Sequence, residues 1–293
     1  FEPVAPPTQK ALFGFGTTGS YTAVTNLVNS SGVVGSDVTG VGTARHGLAA
    51  ANFGGDKAIF GYGYSSAARV ATTNLVSNEG VVASDTSGVG SVRYHLAAAT
   101  FGGDKAIFGY GNTGSMVSIT NLVSSSGVVA TDTTGVGTAR NGLGAAEFGV
   151  GLAIFAYGNG GSDVSMSNLV SNLGVVATDV SGVGTARRFL AAASYGGDKA
   201  IFGYGIGGSS SSLTNLVNNS GVVASDVSGV GTARAELAAT SYGGDKAIFG
   251  YGVTGSNVSM TNLVNNSGVV AADVDGVGTA RNTLAAAGYS FSA

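Results

Sequence analysis

The chain has 293 residues, 51 of them glycine, no cysteine, no tryptophan, a formal net charge of −3 and only 10% charged side chains. So weak a charge leaves no basic stripe for nucleic acid, the missing cysteines exclude disulfides and thiolate metal sites without fixing a compartment, and no apolar run reaches the roughly 18 residues a membrane helix needs. Abundant glycine and β-branched residues with only three prolines favour short strands and tight turns over helices.

All three prolines, Pro3, Pro6 and Pro7, fall in the opening "FEPVAPPTQK", which reads as a stiff extended arm over residues 1–9, suited to holding other subunits of a larger assembly. A first residue Phe1 points to a processed chain or a piece of a longer one, and no signal peptide is visible. From residue 10 to 293 the chain is a repeat. The Asn of "NLV" recurs at 26, 74, 121, 168, 215 and 262, and the Arg closing "GVGTAR" or its variant at 45, 93, 140, 187, 234 and 281, with steps of 48 once and 47 four times.

Read from its Arg, each unit holds four short runs with strand character: "LAAA" plus an aromatic, "KAIFGYG", a run ending in "TNLV", and "GVVASD". Turn signals separate them: "GGD", a Gly/Ser segment, "NNSG" and "D-x-S/T-G-V-G". Four strands in about 47 residues match one blade of a β-propeller. The expected fold is therefore all-β: a six-bladed β-propeller with four antiparallel strands per blade. The chain enters on a second strand, "KALFGFG", and leaves after a first strand, "LAAAGY", so the ring is expected to close by pairing the N- and C-terminal strands in one blade. A β-solenoid is the alternative, but it needs capping segments.

The constant letters read as scaffold. Small "LAAA" residues suit crowding near an axis, and Ile59, Phe60 and Tyr62 suit the wedge between sheets. The Gly-x-Gly of "GYG" is no dinucleotide fingerprint, because no helix follows it. The six repeated aspartates Asp37, Asp85, Asp132, Asp179, Asp226 and Asp273 read as turn formers or as partners of an arginine across a blade boundary; a metal ring is the other reading. Asp273 and Asp275 in "DVDG" leave calcium open at that turn.

The order "R-x-x-L-A-A-A-x-F, G-G-D-K-A-I-F-G-Y-G, T-N-L-V, G-V-V-A" resembles a kelch repeat across all six units. It departs from kelch where "GYG" replaces the Gly-Gly doublet, where "NLV" stands in place of a Tyr, and in having no Trp. Such near-identical Gly/Ser/Thr-rich kelch-like arrays are also similar to those of structural and tail-associated proteins of bacteriophages and other viruses. That likeness implies a virion or extracellular, surface-exposed setting such as a tail fibre, and carries no catalytic residue.

Alignment of the units against each other isolates two variable segments. One is the pair after the Arg, and the other follows "GYG". Antiparallel geometry puts the start of the first strand beside the end of the second, so both segments are expected on one face, with the "GGD" and "NNSG" turns on the other. Loop drift is the plain explanation; a binding face for a glycan or protein is the sharper one. The candidate ligand-binding residues are His46, Tyr64, Arg69, Tyr94, His95, Asn141, Arg188, Phe189, Glu236 and Asn282. Both histidines read as surface residues, not as a metal pair.

Enzyme chemistry finds little support. Glycan hydrolysis needs two carboxylates across the scissile bond, for which Asp163, Glu236 and Asp275 are the candidates, and Glu147 is assigned to the opposite face. No sialidase-type Asp box and no nucleophile elbow is present, and the copper oxidases built on kelch propellers need a Cys-modified Tyr. The expected function is non-enzymatic, without cofactor or metal: recognition of a glycan or protein partner by a propeller displayed on a larger assembly. The alternatives are a passive structural spacer and a glycan hydrolase.

Overall fold

The protein, seen in a computed structural model that describes residues 8–293, is all-β, with no helix among those residues. Each repeat supplies a first strand (Ala49–Phe53, Ala97–Phe101, Gly144–Phe148, Ala191–Tyr195, Ala238–Tyr242, Ala285–Tyr289), a second (Lys57–Gly61, Lys105–Gly109, Leu152–Ala156, Lys199–Gly203, Lys246–Gly250, Lys10–Gly14) and a third (Thr73–Val76, Thr120–Val123, Ser167–Val170, Thr214–Val217, Thr261–Val264, Thr25–Val28). These form six three-stranded antiparallel sheets with the second strand central, and a further two-stranded pair joins Arg45–His46 to Tyr64–Ser65. The terminal strands pair as expected: Lys10–Gly14 lies against Ala285–Tyr289 with Leu12 opposite Ala287. Each first strand touches the first strands of the repeats before and after it, and the succession closes where Ala285–Tyr289 meets Ala49–Phe53. Residues 1–7 of the expected arm lie outside the described residues, whereas Thr8 and Gln9 dock on the body, accepting bonds from Gly244 and Gly243.

The fourth run of each repeat departs from expectation. Instead of a strand it makes two isolated bridges, Val28 to Val34 and Thr25 to Val38 in the repeat that joins the termini. Between them it spends one residue more than the third strand does, which is a bulge. Asn26 fills the interruption, its Nδ2 donating to Gly35 O at 3.0 Å and to Asp37 Oδ1 at 2.9 Å. A side chain has taken the place of ladder bonds, and the same arrangement recurs at Asn74, Asn121, Asn168, Asn215 and Asn262.

Neighbouring sheets are held together by aromatic packing. Tyr62 is fully buried, its ring 5.1 Å from Phe108 of the next sheet, and its hydroxyl donates to Val89 O at 3.0 Å. The residue sits at φ 64°, a left-handed backbone that costs about 1 kcal/mol or more for a side chain other than glycine. Equivalent tyrosines, and Phe15, repeat the conformation. Gly61 leaves the room: a Cβ there would come within 2.6 Å of Phe108. In the sheet of Gly144–Phe148, Ala156 replaces that glycine, and its register partner Gly144 replaces the alanine found opposite in the other sheets. The methyl group has changed strands, and Phe202 of the next sheet leans towards the vacated side: a Cβ on Gly144 would lie 3.0 Å from that ring.

The repeat arginines form the second set of clamps. Arg45 is fully buried and donates from Nε to Tyr62 O (2.8 Å), from Nη1 to Thr43 O (3.1 Å) and from Nη2 to Asn74 Oδ1 (2.7 Å). Its guanidinium lies 4.3 Å above the Phe15 ring of the adjacent sheet, a desolvated cation over a π face. Burial lowers its pKa to about 10, partly offset by Asp85. That carboxylate accepts from Thr43 N and Oγ1 and from Asn74 Nδ2, and approaches Arg45 at 4.0 Å. The aspartates are thus bonded partners, but each serves the arginine that leads into its own sheet and not one across a sheet boundary. Asp273 is committed in the same way to Thr232 and Asn262.

Candidate functional site

The second residue after each arginine takes part in a closed cycle that sequence reading missed. His95 N donates to Gly47 O, Gly142 N to His95 O, Phe189 N to Gly142 O, Glu236 N to Phe189 O, Thr283 N to Glu236 O and Gly47 N to Thr283 O, all at 2.7–2.9 Å. All six residues are left-handed, with φ between 48° and 62°. In that conformation each carbonyl meets the next amide, so one turn of backbone closes the centre of the molecule while the side chains stay free to vary. Just inside lies a layer of six leucines, among them Leu48, Leu143 and Leu237.

The first residue of each variable pair bridges to the start of the variable segment after "GYG" in the same repeat: His46 to Tyr64, Tyr94 to Asn112, Asn141 to Asn159, Arg188 to Ile206, Ala235 to Val253 and Asn282 to Thr17. The two variable segments therefore lie together. The "GGD" turns meet the turns after the third strands instead; a Cβ on Gly54 would sit 2.8 Å from Ser125 O.

Seven of the ten predicted site residues gather in one patch. Tyr94 lies 5.6 Å from Tyr64, 4.4 Å from His95 and 6.3 Å from His46, while His95 meets Phe189 at 4.9 Å (ring centroids). Arg69 lies over Tyr94 at 5.4 Å and Arg188 over Phe189 at 5.7 Å. Tyr21, not among the expected residues, stacks on His46 at 4.8 Å with ring planes 22° apart; as the one aromatic in "TTGSYTAV" it was open to discovery by the same alignment of units. Asn141, Glu236 and Asn282 stand outside these ring contacts, although Glu236 follows Phe189 in the backbone cycle. All ten predicted residues are half-buried.

Burial sets the charge of the patch. His95 is pushed down to about 4 by desolvation and, secondarily, by His46, and its Nε2 is buried without a partner. Desolvation also lowers His46, whose Nδ1 lies 3.2 Å from Thr283 Oγ1, and raises the Glu236 carboxyl. Both imidazoles are neutral at pH 7, so Arg69 and Arg188 carry the positive charge. Arg188 is held by Asp163 at 2.7 Å, and Asp163 also accepts from Asn159 Nδ2 at 2.9 Å. Of the hydrolase candidates, Asp163 is thus engaged in an ion pair and Asp275 is exposed. Among the described residues no group of three or more His, Asp or Glu side chains is placed to hold a metal ion.

Glu147 stands near the end of its first strand, beside the turn at Gly149 and away from the variable face as expected, and lines the cavity that the six first strands form together with Gly197 and Gly244 of the "GGD" turns. No protein-family model matches this chain, and no curated protein matches it.

Proposed function

We propose that the chain is a kelch-like six-bladed β-propeller without catalytic activity that recognises a carbohydrate, or a protein bearing equivalent apolar and polar groups, through its variable face. The propeller reading is supported by the closed succession of first-strand contacts and by the pairing of the two terminal strands. The bulged fourth run stands where a blade has its outermost strand. The recognition reading rests on one observation: rings from four repeats, Tyr21, His46, Tyr64, Tyr94, His95 and Phe189, form one continuous half-exposed patch, with Arg188 at its Phe189 end and Arg69 over Tyr94 at its centre. A scaffold gains nothing from gathering aromatics in loops when its sheets already bury their own. Sugar rings present C–H faces that stack on such aromatics, and their hydroxyls match Arg, Asn and carboxylate groups. Display on a virion or other exported surface assembly follows from the likeness to viral kelch-like arrays, with residues 1–9 as the attachment.

The joint variant Tyr64→Ala, Tyr94→Ala, Arg188→Ala, Phe189→Ala tests recognition on a glycan array and on candidate host cells, with circular dichroism as a folding control. Binding by the native chain and its loss in the folded variant support the reading. Absence of binding by the native chain, or identical binding by both, favours a passive spacer. Glycoside hydrolysis abolished by Glu236→Gln overturns the non-enzymatic part.

A further inference from the structure

The cavity where the six first strands converge has a volume of about 140 Å³. One strand position supplies most of its polar lining: Asn52, Thr100, Glu147, Ser194 and Ser241, with Gly288 in the sixth repeat. Gly288 has no side chain because Thr8 fills its place, and a Cβ there would lie 2.1 Å from Thr8 Oγ1. That oxygen is buried and unpartnered. Glu147 is the one ionic side chain of the lining. It is half-buried, makes no side-chain hydrogen bond among the described residues, and lines the cavity. The "GVG" turn that follows it lacks the Asp-Lys pair found in the other repeats, so no lysine stands nearby in sequence.

The two hydroxyls on the strands flanking it point their protons elsewhere. Thr100 Oγ1 donates to Asn52 O at 3.0 Å and Ser194 Oγ donates to Glu147 O at 2.8 Å. What these groups offer the cavity is oxygen lone pairs. A carboxylate that receives no hydrogen bond, beside such acceptors in a polar cavity, favours a positive charge to complete it. One carboxylate among neutral oxygens balances a single charge, and these oxygens hold a metal ion or an N–H donor better than a quaternary ammonium, which has no N–H to give.

We propose that this central cavity binds a compact monovalent cation, an alkali-metal ion or a primary ammonium group, with Glu147 as counter-charge and the Thr8, Thr100 and Ser194 oxygens as further ligands. The site is independent of the recognition face and of whether that face binds anything.

Thermal unfolding of the whole chain tests the proposal, in sodium, potassium or methylammonium chloride against choline chloride at equal ionic strength and pH 8. A small cation is expected to raise the midpoint saturably, on the order of 2 °C or more over choline; the three salts distinguish a metal ion from an amine. Glu147→Gln is expected to fold and to lose the difference. Burial pushes the Glu147 pKa up to about 7. With the folded value raised, stability in choline falls as pH climbs from the ordinary carboxylate range through 7, less so in the preferred cation, and Glu147→Gln removes this dependence. The other titratable lining residue, Tyr195, stays neutral over that range. Asn52→Lys, which places an ammonium in the cavity, is a second variant expected to abolish cation dependence. A midpoint indifferent to cation identity in the native chain, or a dependence that survives Glu147→Gln, overturns the proposal.

Discussion

The arginine clamps and the variable face lie one residue apart in sequence and behave as different materials. Arg187 is fully buried, with Nε on Tyr204 O, Nη1 on Thr185 O and Nη2 on Asn215 Oδ1; its neighbour Arg188 is half-exposed and meets Asp163 across a loop. The first has its partners fixed by backbone that all six repeats share. The second has a partner only because one repeat carries Asp163. Repetition is therefore enforced where a side chain must satisfy buried carbonyls from two directions, and it lapses where water can do the same work.

Breaking the clamp should give the largest effect. Arg187→Ala strands Asn215 Oδ1 and two carbonyls in the interior and is expected to cost about 3–5 kcal/mol in urea unfolding, whereas Arg188→Ala should cost under about 1 kcal/mol. Equal losses would dissolve the distinction. The sheet interface offers a middle-sized test. Gly144→Ala beside the existing Ala156 presses a methyl against Phe202 and should cost about 1–3 kcal/mol, recovered when Ala156→Gly is added. Failure of the double variant to recover would mean that the exchange of the methyl between strands is incidental.

Acid sharpens the comparison further. Burial raises the pKa of each repeat aspartate, but hydrogen bonds from Thr or Ser and from Asn, helped by the arginine charge, outweigh it and hold the value below the ordinary one. A depressed folded value contributes stability above the unfolded pKa that is lost as pH falls through the folded one. Stability is expected to drop below about pH 4. Asp132→Asn should shorten that drop, and Arg188→Ala should leave it unchanged. The smallest change belongs to the face itself: Tyr94→Ala should move stability by about 1 kcal/mol or less while removing the centre of the aromatic patch.

Much of this was legible in the letters. The period of the "NLV" asparagines and of the arginines matches the six three-stranded sheets, and "KALFGFG" and "LAAAGY" at the ends gave the pairing that joins the termini. The grouping of His46 with Tyr64 and of Tyr94 with Asn112 followed from antiparallel order alone. Sequence reading failed at the fourth run, where β-branched "GVV" spoke for a strand. The carbonyl that would have continued the ladder instead receives Asn26 Nδ2, a competition between side chain and backbone that propensity does not register.

The sequence by itself determined the unit, its order of strands and which letters were free to change, because these follow from spacing and from alternation along a strand. Only the tertiary structure decided which free letters meet. The left-handed cycle through His95 and Phe189, the stacking of Tyr21 on His46 and the placing of Glu147 in the central cavity all join residues of different repeats. Such meetings depend on how sheets are angled about one another, which no interval within a single repeat encodes.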